Sequence, residues 1–436
     1  MNSYYIWTIG CQMNKADSER LASSLEHAGL TSVARPAEAD VVVLNSCVVR
    51  QSAEDRVVGT LGLMKSVKSK RPGQVLALMG CMVGPRVEGL ETRFPYVDVF
   101  MRPQQYGPLL DLLEDRLGVD TEGCLSALAP GHPAVSSYVP VIHGCDLMCT
   151  FCIIPFRRGR QVSRPMDEVV HEVDLMVQRG MREVTLLGQT VDAYGHDLEE
   201  PCDLADLLHQ VSRVDGLKRL RFLTSHPIFM SDRIIQAVKE IDKVCEHINL
   251  PIQAADDEVL MNMRRRYSEA EYRRLIDRIR SAIPSVSIST DVIVGFPGET
   301  RQQFERTLNL VKEMEFDKVH IAAYSPRPGT YAHHKLPDDV SQQEKDDRLK
   351  ALEEVQKDIL EKKNRRLLGD MVEILVDGRK KDKWQGRTRG DKLVFLEDER
   401  DLLGQLVNVR IESTSPWSLQ GVSMKGDTEL KVGVLR

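Results

Sequence analysis

Between residues 138 and 324, six short apolar runs alternate with segments whose apolar residues recur at helical spacing. Such runs are typical of buried parallel strands, and repeated strand–helix units imply a parallel sheet. Six units are two short of a closed eight-stranded barrel, so we predict a partial (β/α)6 barrel with its functional residues at the strand carboxyl ends. The predicted strands are residues 138–142, 183–187, 219–223, 247–252, 286–294 and 318–324, and the helices between them include 166–179, 231–241, 270–283 and 301–314.

Three cysteines follow the first of these runs: Cys145, Cys149 and Cys152, spaced C-x3-C-x2-C. Three thiolates on one loop can bind three irons of a [4Fe–4S] cluster, and the missing fourth ligand leaves one iron open to a small molecule. This spacing resembles the signature of radical S-adenosylmethionine (SAM) enzymes. A zinc knuckle or three ordinary thiols are the alternatives, but zinc sites favour a second Cys or His pair, which this stretch lacks.

Residues 1–120 repeat one pattern three times, in which a short apolar run ends at a cysteine: Cys11, Cys47 and Cys81. Helical segments (17–28 and 52–70) follow the first two, so we predict a doubly wound parallel sheet. Ligands of such sheets gather outside the strand carboxyl ends, where these three cysteines fall. We therefore predict a second three-cysteine iron–sulfur cluster, with three buried structural thiols as the alternative. Neighbouring polar residues are interpreted chiefly as helix caps: Asn14, Asp17, Ser18, Glu19, Asn45 and Ser46.

Loops with polar residues or glycine follow the predicted barrel strands, and their composition is suited to binding SAM. Gly188 and Gln189 can approach its amino group, since glycine lets the backbone come close. Ile293 and Gly295 can present backbone to the adenine, and Phe151 can pack against that ring. Turn chemistry for the glycines and core packing for Phe151 are the alternatives. The other candidates in these loops are Ser225, Gln253 and Tyr324.

The C-terminal part reads as a charged helix (349–368) followed by the short strand-like runs 371–376, 392–396 and 406–411, with 377–379 and 389–391 as turns. We predict a small antiparallel, OB-like barrel, a fold that often binds single-stranded nucleic acid. A tryptophan among basic residues fits phosphate contact and base stacking, with a core tryptophan under a solvated basic loop as the competing interpretation. The candidate RNA-binding residues are Arg379, Lys381, Lys383, Trp384, Arg387 and Arg389.

The net charge of −6 hides a segregation of charge. Residues 361–392 hold eleven Lys/Arg and six Asp/Glu, a net +5, so the rest of the chain carries −11. This pattern allows a local polyanion site on an acidic protein, or a solvated lysine-rich face. The start of the sequence lacks a charged leader, and no apolar run is long enough to span a bilayer. We expect a cytoplasmic protein without a membrane partner, whose nine cysteines serve metals more than disulfides.

Taken together, these motifs resemble the radical-SAM methylthiotransferases over almost the whole chain. The resemblance implies an N-terminal methylthiotransferase domain (1–120), a radical-SAM core (131–366) and a TRAM domain (367–434). The motifs that carry it are Gly10–Asn14 with Asp17-Ser18-Glu19, Asn45–Arg50, Gly80-Cys81-Met82, Gly144–Cys152, Arg158-Gly159-Arg160, Ser163-Arg164-Pro165, Thr224–Pro227, Gly295–Glu299 and Tyr324–Thr330.

The family implies that both cysteine groups hold [4Fe–4S] clusters and that two SAM molecules are consumed. One SAM methylates a sulfur on the open auxiliary iron, and the second supplies the radical that activates the target carbon. The implied reaction adds a methylthio group to C2 of N6-dimethylallyl(isopentenyl)adenosine beside the anticodon of tRNA. The implied partners are the tRNA anticodon stem-loop and an electron donor such as flavodoxin or ferredoxin, and we expect a monomer.

Two stretches depart from the family pattern: Gln253–Asp257, where two serines are missing, and Met263–Tyr267, where a glycine is missing. Asp256 is then the candidate acceptor from the ribose hydroxyls, and Arg265 is the candidate partner of the methionine carboxylate. Gln12-Met13-Asn14 favours the dimethylallyl substrate. The alternatives are the same chemistry on threonylcarbamoyladenosine or on a ribosomal-protein aspartate, or a non-catalytic zinc-containing RNA-binding protein.

Overall fold

The computed structural model describes residues 3–48, 51–124 and 134–423. Val49 and Arg50 of the second cysteine motif lie outside these residues. The same holds for the predicted domain limits at residues 131 and 434.

The N-terminal domain is a parallel five-stranded sheet with helices on both faces. Its elements are β1 (Ser3–Thr8), α1 (Gln12–His27), β2 (Thr31–Ser32), β3 (Val41–Ser46), α2 (Gln51–Lys70), β4 (Val75–Gly80), α3 (Glu88–Arg93), β5 (Val99–Met101) and α4 (Gly107–Leu117). The strand order β2–β1–β3–β4–β5 confirms a doubly wound sheet whose connections reverse between β1 and β3. The middle strands are buried on both faces because alternate side chains enter different cores. Val41 and Val43 pack on one side of β3, and Val42 and Leu44 on the other.

The second domain is the predicted open barrel. Its elements are β6 (Ser136–Pro140), β7 (Ile142–His143), α5 (Ile154–Arg158), β8 (Val162–Ser163), α6 (Met166–Gln178), β9 (Glu183–Leu187), α7 (Leu204–Ser212), β10 (Arg219–Leu223), α8 (Asp232–Glu240), β11 (His247–Asn249), α9 (Asp257–Asn262), α10 (Glu269–Ala282), β12 (Ser287–Val294), α11 (Arg301–Met314), β13 (Lys318–Ala323) and α12 (Tyr331–Lys335). Strands β6, β9 and β10 form one parallel sheet and β11, β12 and β13 another. A bridge between Leu220 and Val244 joins the two sheets into a six-stranded open barrel. The first predicted strand divides at Val141, because β7 pairs antiparallel with β8 instead of continuing in the barrel.

Helix α1 attaches the N-terminal domain to the first strand of the barrel. Met13 and Ala16 pack against Leu187, beside Tyr138. Glu19 accepts a hydrogen bond from the Ser137 hydroxyl at 2.7 Å. The sheet of the first domain and the barrel of the second are thus neighbours along α1.

The third domain follows the long helix α13 (Gln342–Arg365) and is a closed five-stranded barrel. Its strands are β14 (Met371–Lys380), β15 (Lys383–Thr388), β16 (Leu393–Leu396), β17 (Leu406–Thr414) and β18 (Leu419–Ser423), in the order β14–β15–β16–β18–β17. The prediction of a small barrel is confirmed, although β15 and β18 carry too few apolar residues to have been recognised. The predicted turn at 377–379 is wrong: it lies inside β14 at a bulge, and the chain turns instead at Lys381 and Asp382, which both have positive φ.

Two arginines of the second domain, Arg219 and Arg221, fix this small barrel to the amino-terminal ends of the barrel strands. Arg219, at the start of β10, donates to the Arg387 carbonyl and to Glu373. Arg221 donates to the carbonyls of Thr388 and Arg389 at 2.8 and 2.7 Å. The third-domain hairpin therefore covers the barrel end opposite the strand carboxyl ends.

No helix in residues 3–48, 51–124 or 134–423 is both long and apolar enough to span a lipid bilayer.

Candidate active site

The loop that carries Cys145, Cys149 and Cys152 lies at the strand carboxyl ends and is held by backbone contacts. Gly144 has φ +66°, and a Cβ there would lie 2.0 Å from the Arg160 carbonyl oxygen, so only glycine fits. The Cys145 N–H donates to the Gly159 carbonyl at 3.2 Å. The Thr150 N–H and hydroxyl donate to the carbonyls of Met263 and Asn262. These bonds fix the thiols before any ligand is present.

The three thiols of this loop lie close enough to interact electrostatically. Burial raises the pKa of Cys152 to about 12, and the neighbouring Cys149 and Cys145 add to the effect. Burial also raises the pKa of Cys145, whose sulfur lies 3.5 Å from the Thr190 hydroxyl. Such thiols ionise readily only when a metal takes the place of the proton.

Arg265 lies directly beside this loop. Its guanidinium reaches the sulfur of Cys149 at 3.5 Å, the Tyr267 hydroxyl at 3.0 Å and the Pro251 carbonyl at 3.3 Å. Tyr267 is anchored in turn by the Ile252 carbonyl at 2.8 Å. A cavity of about 630 Å³ opens here, lined by Leu147, Met148, Asp257, Met261, Arg264, Arg265, Arg266, Tyr267, Ser268 and Glu271. A rigid cation beside the cluster loop suits an anionic group such as a carboxylate.

Two buried hydroxyls among the predicted SAM contacts, those of Ser225 and Tyr324, have no hydrogen-bond partner among the residues that the structure describes. Buried polar groups are normally satisfied, so two orphans in one region indicate a missing ligand or water. Burial raises the pKa of Tyr324 to about 12, which keeps its hydroxyl protonated and able to donate. Ser225 is held in place because the Asp192 carboxylate accepts the backbone N–H of His226 at 2.8 and 3.0 Å. Asp192 was not recognised from the sequence.

The remaining strand-end loops show the backbone strain that is common at functional sites. Thr224 and Gln253 both have positive φ, of 72° and 73°, and Thr224 is β-branched. Phe151 packs edge-on against Phe296, with ring centroids 6.4 Å apart. Gln189 and Ile293 are half-buried at the same strand ends.

Three predicted SAM contacts have other roles. Gly188 is required by packing, since a Cβ there would lie 2.2 Å from Ile142. The N–H of Gly295 donates a hydrogen bond to the Glu299 carboxylate at 2.5 Å, and a Cβ at this position would collide with the Lys345 side chain. Asp256 caps α9: its Oδ1 accepts from the N–H groups of Glu258 and Val259 and from the Gln303 amide at 3.0 Å, and its Oδ2 pairs with Arg306.

Cys11, Cys47 and Cys81 follow β1, β3 and β4 at one edge of the N-terminal sheet. Cys11 and Cys47 flank the point where the strand order reverses, which is the usual ligand position in such sheets. Cys47 and Cys81 are buried, and Cys11 is exposed. Burial raises the pKa of Cys81 to about 11, with electrostatic contributions from Cys47 and Cys11 that place all three within reach of one another.

The capping interpretation of the polar residues that follow Cys11 is wrong. No side chain caps α1. Asn14 donates instead to the Asn45 side chain and the Ser46 carbonyl, at 3.0 and 2.9 Å, and Asn45 donates back to the Asn14 carbonyl at 2.7 Å. This buried amide pair ties the turn after β1 to the turn after β3, and so sets the distance between Cys11 and Cys47.

Asp17 reaches into the second domain. Its carboxylate pairs with Arg158 at 2.8 Å, with both side chains almost fully buried, and Gln104 donates to it at 3.3 Å. The same Gln104 amide lies 2.6 Å from Nδ1 of His143. The sequence showed Arg158 only as part of a motif, because nothing in a single chain reveals a contact across 141 residues.

Both cysteine groups suit a multi-iron cluster better than a single ion. Within the described residues, no three His, Cys, Asp or Glu side chains lie close enough to share one metal ion. A single zinc needs all its ligands about 2.3 Å from one point, whereas a cluster takes each thiolate on a separate iron. Within each group the thiols interact electrostatically, which is compatible with thiolates on separate irons of one cluster.

Half of the predicted RNA-binding residues serve the fold instead. Trp384 is a core residue of the small barrel, and its indole N–H donates to the carbonyls of Asp398 and Arg400. Arg387 bonds Asp391 within its own hairpin. Arg389 reaches Glu246 at 2.7 Å and the carbonyls of Asp242 and Val244 in the second domain. The basic turn, which we define as Arg379, Lys380, Lys381 and Lys383, remains at the surface.

Family models match three parts of the chain. The radical SAM superfamily matches residues 139–311, the TRAM domain matches 365–423, and an uncharacterized family designated UPF0004 matches 3–102.

Among solved structures, a radical SAM methyltransferase (TsrM) from Kitasatospora setae resembles the chain with a TM-score of 0.57 at 13% identity. The match covers 76% of this chain and 77% of that one. A cobalamin-dependent SAM radical enzyme (OxsB) has a TM-score of 0.51 at 10% identity and covers 81% of this chain and 56% of that one. These similarities concern the fold alone.

Curated relatives match nearly end to end. The tRNA-2-methylthio-N(6)-dimethylallyladenosine synthases of Roseiflexus sp. (strain RS-1) and Chloroflexus aurantiacus are 50% and 48% identical to this chain. They cover 97% and 98% of it, and 90% and 92% of their own lengths are matched. The synthase of Dehalococcoides mccartyi strain 195 is 46% identical over 98% of this chain and 99% of its own. The chain therefore belongs to the radical-SAM methylthiotransferases, in the family of the tRNA-2-methylthio-N(6)-dimethylallyladenosine synthases.

Proposed function

We propose that the protein transfers a methylthio group to C2 of N6-dimethylallyladenosine beside the anticodon of tRNA. The observation that carries this proposal is the placement of two separate three-cysteine groups at the strand ends of adjoining domains. Arg158, whose helix begins two residues after Cys152, pairs with Asp17 of the first domain, so the two groups are neighbours. The substrate follows the names of the relatives.

We infer that each cysteine group holds a [4Fe–4S] cluster with one open iron. The three remaining cysteines have surroundings of their own: Cys124 beside Asp120, Cys202 beside Asp206 and Cys245 beside Arg221. They are poor candidates for a fourth ligand. When bound, the clusters supply the electron for SAM cleavage and the open irons for SAM and sulfur.

The side chains around the cluster loop would bind SAM and exclude water. Arg265, held by Tyr267 and Pro251, would pair with the methionine carboxylate. The unpartnered hydroxyls of Ser225 and Tyr324 would hydrogen-bond to polar atoms of the ligand. Phe151 offers an apolar surface, and Gln189, Gln253 and Ile293 border the same strand ends. A carbon-centred radical needs such a closed site, since it would otherwise abstract hydrogen from the C–H and S–H bonds of other side chains or solutes.

The basic turn of the small barrel would contact tRNA phosphates, which arginine and lysine bind without reading sequence. A loop base can be splayed into a pocket at less cost than a base within a duplex. We further infer that the protein is a cytoplasmic monomer and receives electrons from a carrier such as flavodoxin or ferredoxin.

Mass spectrometry of tRNA nucleosides tests the reaction. Anaerobic incubation of the cluster-loaded protein with SAM, dithionite and tRNA bearing the dimethylallyl group should yield the 2-methylthio nucleoside. Product from threonylcarbamoyl-tRNA alone would reassign the substrate. Zinc in place of roughly eight irons per chain, for two four-iron clusters, would defeat the enzyme proposal.

A cysteine variant separates the roles of the two groups. Cys47→Ala should still cleave SAM but yield no methylthio product, because the change removes a ligand only from the N-terminal group. Cys202→Ser, which lies in neither group, is the matched control and should retain product formation. Unchanged product from the Cys47 variant would refute its cluster role.

A further inference from the structure

Arg158 belongs to the second domain by sequence, but its helix packs against the first: Ile153, the residue before α5, shares a hydrophobic cluster with Cys81. Arg158 ends α5, the helix that follows the cluster loop. Its side chain is only 2% exposed. Besides its pair with Asp17, the guanidinium interacts electrostatically with the thiols of Cys81 and Cys11.

A second buried arginine approaches the same thiols from another element. Arg327 follows β13, and its side chain is 6% exposed. It interacts electrostatically with Cys47 and with Glu54, whose carboxylate is 3.9 Å away. Two buried cations of the barrel domain therefore interact electrostatically with the three cysteines of the neighbouring domain.

The chemistry of these contacts identifies their purpose. A guanidinium only donates hydrogen bonds, and burying it is costly unless acceptors or anions surround it. A neutral thiol is a weak acceptor, whereas a thiolate on an iron–sulfur cluster is an anion. Charge and hydrogen bonds to the sulfurs are among the factors that set the reduction potential of such clusters.

We propose that Arg158 and Arg327 are positioning residues that form the cationic wall of the N-terminal [4Fe–4S] cluster, raising its reduction potential and retaining it, with Asp17 as the opposing charge. This inference rests on the proposed function, from which it takes the N-terminal cluster. It adds that the site is complete only when the first two domains are docked.

The test uses the full chain with Cys145, Cys149 and Cys152 replaced by alanine, so that only the N-terminal cluster can form. After anaerobic reconstitution with iron and sulfide, iron per chain is counted and the cluster is titrated with dithionite and redox mediators, followed by electron paramagnetic resonance. Arg158→Gln should lower the midpoint potential, because it removes a positive charge that stabilises the added electron. Asp17→Asn should raise it, because it removes the opposing charge.

Arg158→Lys keeps the charge, so it should retain iron and stay near the parent potential. If Arg158→Gln loses its iron, retention by Arg158→Lys still supports the inference. Arg160→Gln is the matched control: its side chain is 87% exposed beside Asp146, and it should change neither quantity. For a one-electron couple, a shift of about 59 mV in midpoint potential changes the ratio of reduced to oxidised cluster tenfold at a given applied potential.

The experiment distinguishes the presence of the N-terminal cluster from the effect of Arg158 on that cluster. A parent chain that binds no iron would overturn the N-terminal cluster itself. An iron-loaded parent with an unchanged Arg158→Gln variant, or with Arg158→Gln and Asp17→Asn shifted in the same direction, would overturn the role of the arginine alone.

Discussion

At the scale of single residues, Arg265 shows how the fold prepares a cation for a ligand. Three partners, the Tyr267 hydroxyl, the Pro251 carbonyl and the Cys149 sulfur, fix its guanidinium beside the cluster loop. A preorganised guanidinium loses little freedom when it binds, which is why planar carboxylates are so often met by arginine.

We expect Arg265→Gln to weaken SAM binding about ten- to a hundredfold. A hydrogen bond to a charged group contributes about 1.5–3 kcal/mol, and about 1.4 kcal/mol is a factor of ten in affinity. Equilibrium dialysis of SAM against cluster-loaded protein measures the change. Arg274→Gln is the control, since that side chain is exposed on α10 and is not among the residues that line the cavity. Equal losses in both variants would contradict the assignment.

The two tryptophans of the small barrel should differ sharply in their effect on stability. Trp384 is 8% exposed in the core, whereas Trp417 is 63% exposed. Trp384→Ala should lower the free energy of unfolding by about 3–5 kcal/mol, the usual result of removing a core aromatic. Trp417→Ala should change it by less than about 0.5 kcal/mol. Thermal unfolding of the two variants makes the comparison, and similar losses would place Trp384 outside the core.

At the scale of elements, the sequence predicts the limits of most strands better than it predicts the tertiary contacts of the residues that follow them. Strands β9 and β10 have the predicted limits, and in both apolar residues alternate with polar ones over most of the strand, which is typical of β-structure. Strand β15 was missed because Trp384, Gly386 and Thr388 alternate with polar residues that give no apolar run. The roles of Gly188 and Gly295 were also missed, because they depend on Ile142 and Lys345, which come close only in the folded chain.

The hairpin that ends in Arg389 should anchor the third domain. Arg389→Ala removes its bonds to Glu246 and to two carbonyls, so we expect the docked state to lose about 2 kcal/mol. Limited proteolysis between α13 and β14 should then accelerate. Arg379→Ala should leave the proteolysis rate unchanged, since its guanidinium stacks over Trp384 within the small barrel. The same variant should instead lose one phosphate contact, so the slope of the logarithm of tRNA affinity against the logarithm of salt concentration should become shallower by about one.

At the scale of the whole molecule, contacts between domains are what sequence reasoning could not supply. The two cysteine groups could be predicted because each has a local pattern, three thiols on one loop or a thiol after each strand. The pairing of Asp17 with Arg158, and of Arg389 with Glu246, joins residues more than a hundred positions apart. No periodicity or spacing encodes such pairs, so from the sequence Asp17 was interpreted as a helix cap and Arg389 as an RNA contact.

The junction between the barrel and the third domain should also set part of the acid sensitivity of the protein. Burial lowers the pKa of His247 to about 4, whereas the unfolded chain binds that proton near pH 6.5. Between these values only the unfolded state is protonated, so the free energy of unfolding falls by about 1.4 kcal/mol per pH unit as the pH falls.

In the His247→Gln variant, the free energy of unfolding should therefore fall less steeply between pH 6.5 and 4. The slope should be smaller by about 1.4 kcal/mol per pH unit. Urea unfolding at a series of pH values measures it. The control is His209→Gln, at an exposed position on α7. An unaltered slope in the His247 variant would show that the imidazole is not buried in its neutral form.

The third domain covers the amino-terminal ends of the barrel strands, while the cysteines of the cluster loop stand at the carboxyl ends. With five residues in β10, these two ends are about 17 Å apart along the strand. An RNA gripped by the basic turn while one of its bases reaches the cysteine loop must bridge at least that span. The protein would then select RNA by length. An oligonucleotide that carries the right base but is too short to reach both the basic turn and the cysteine loop would be a poor substrate.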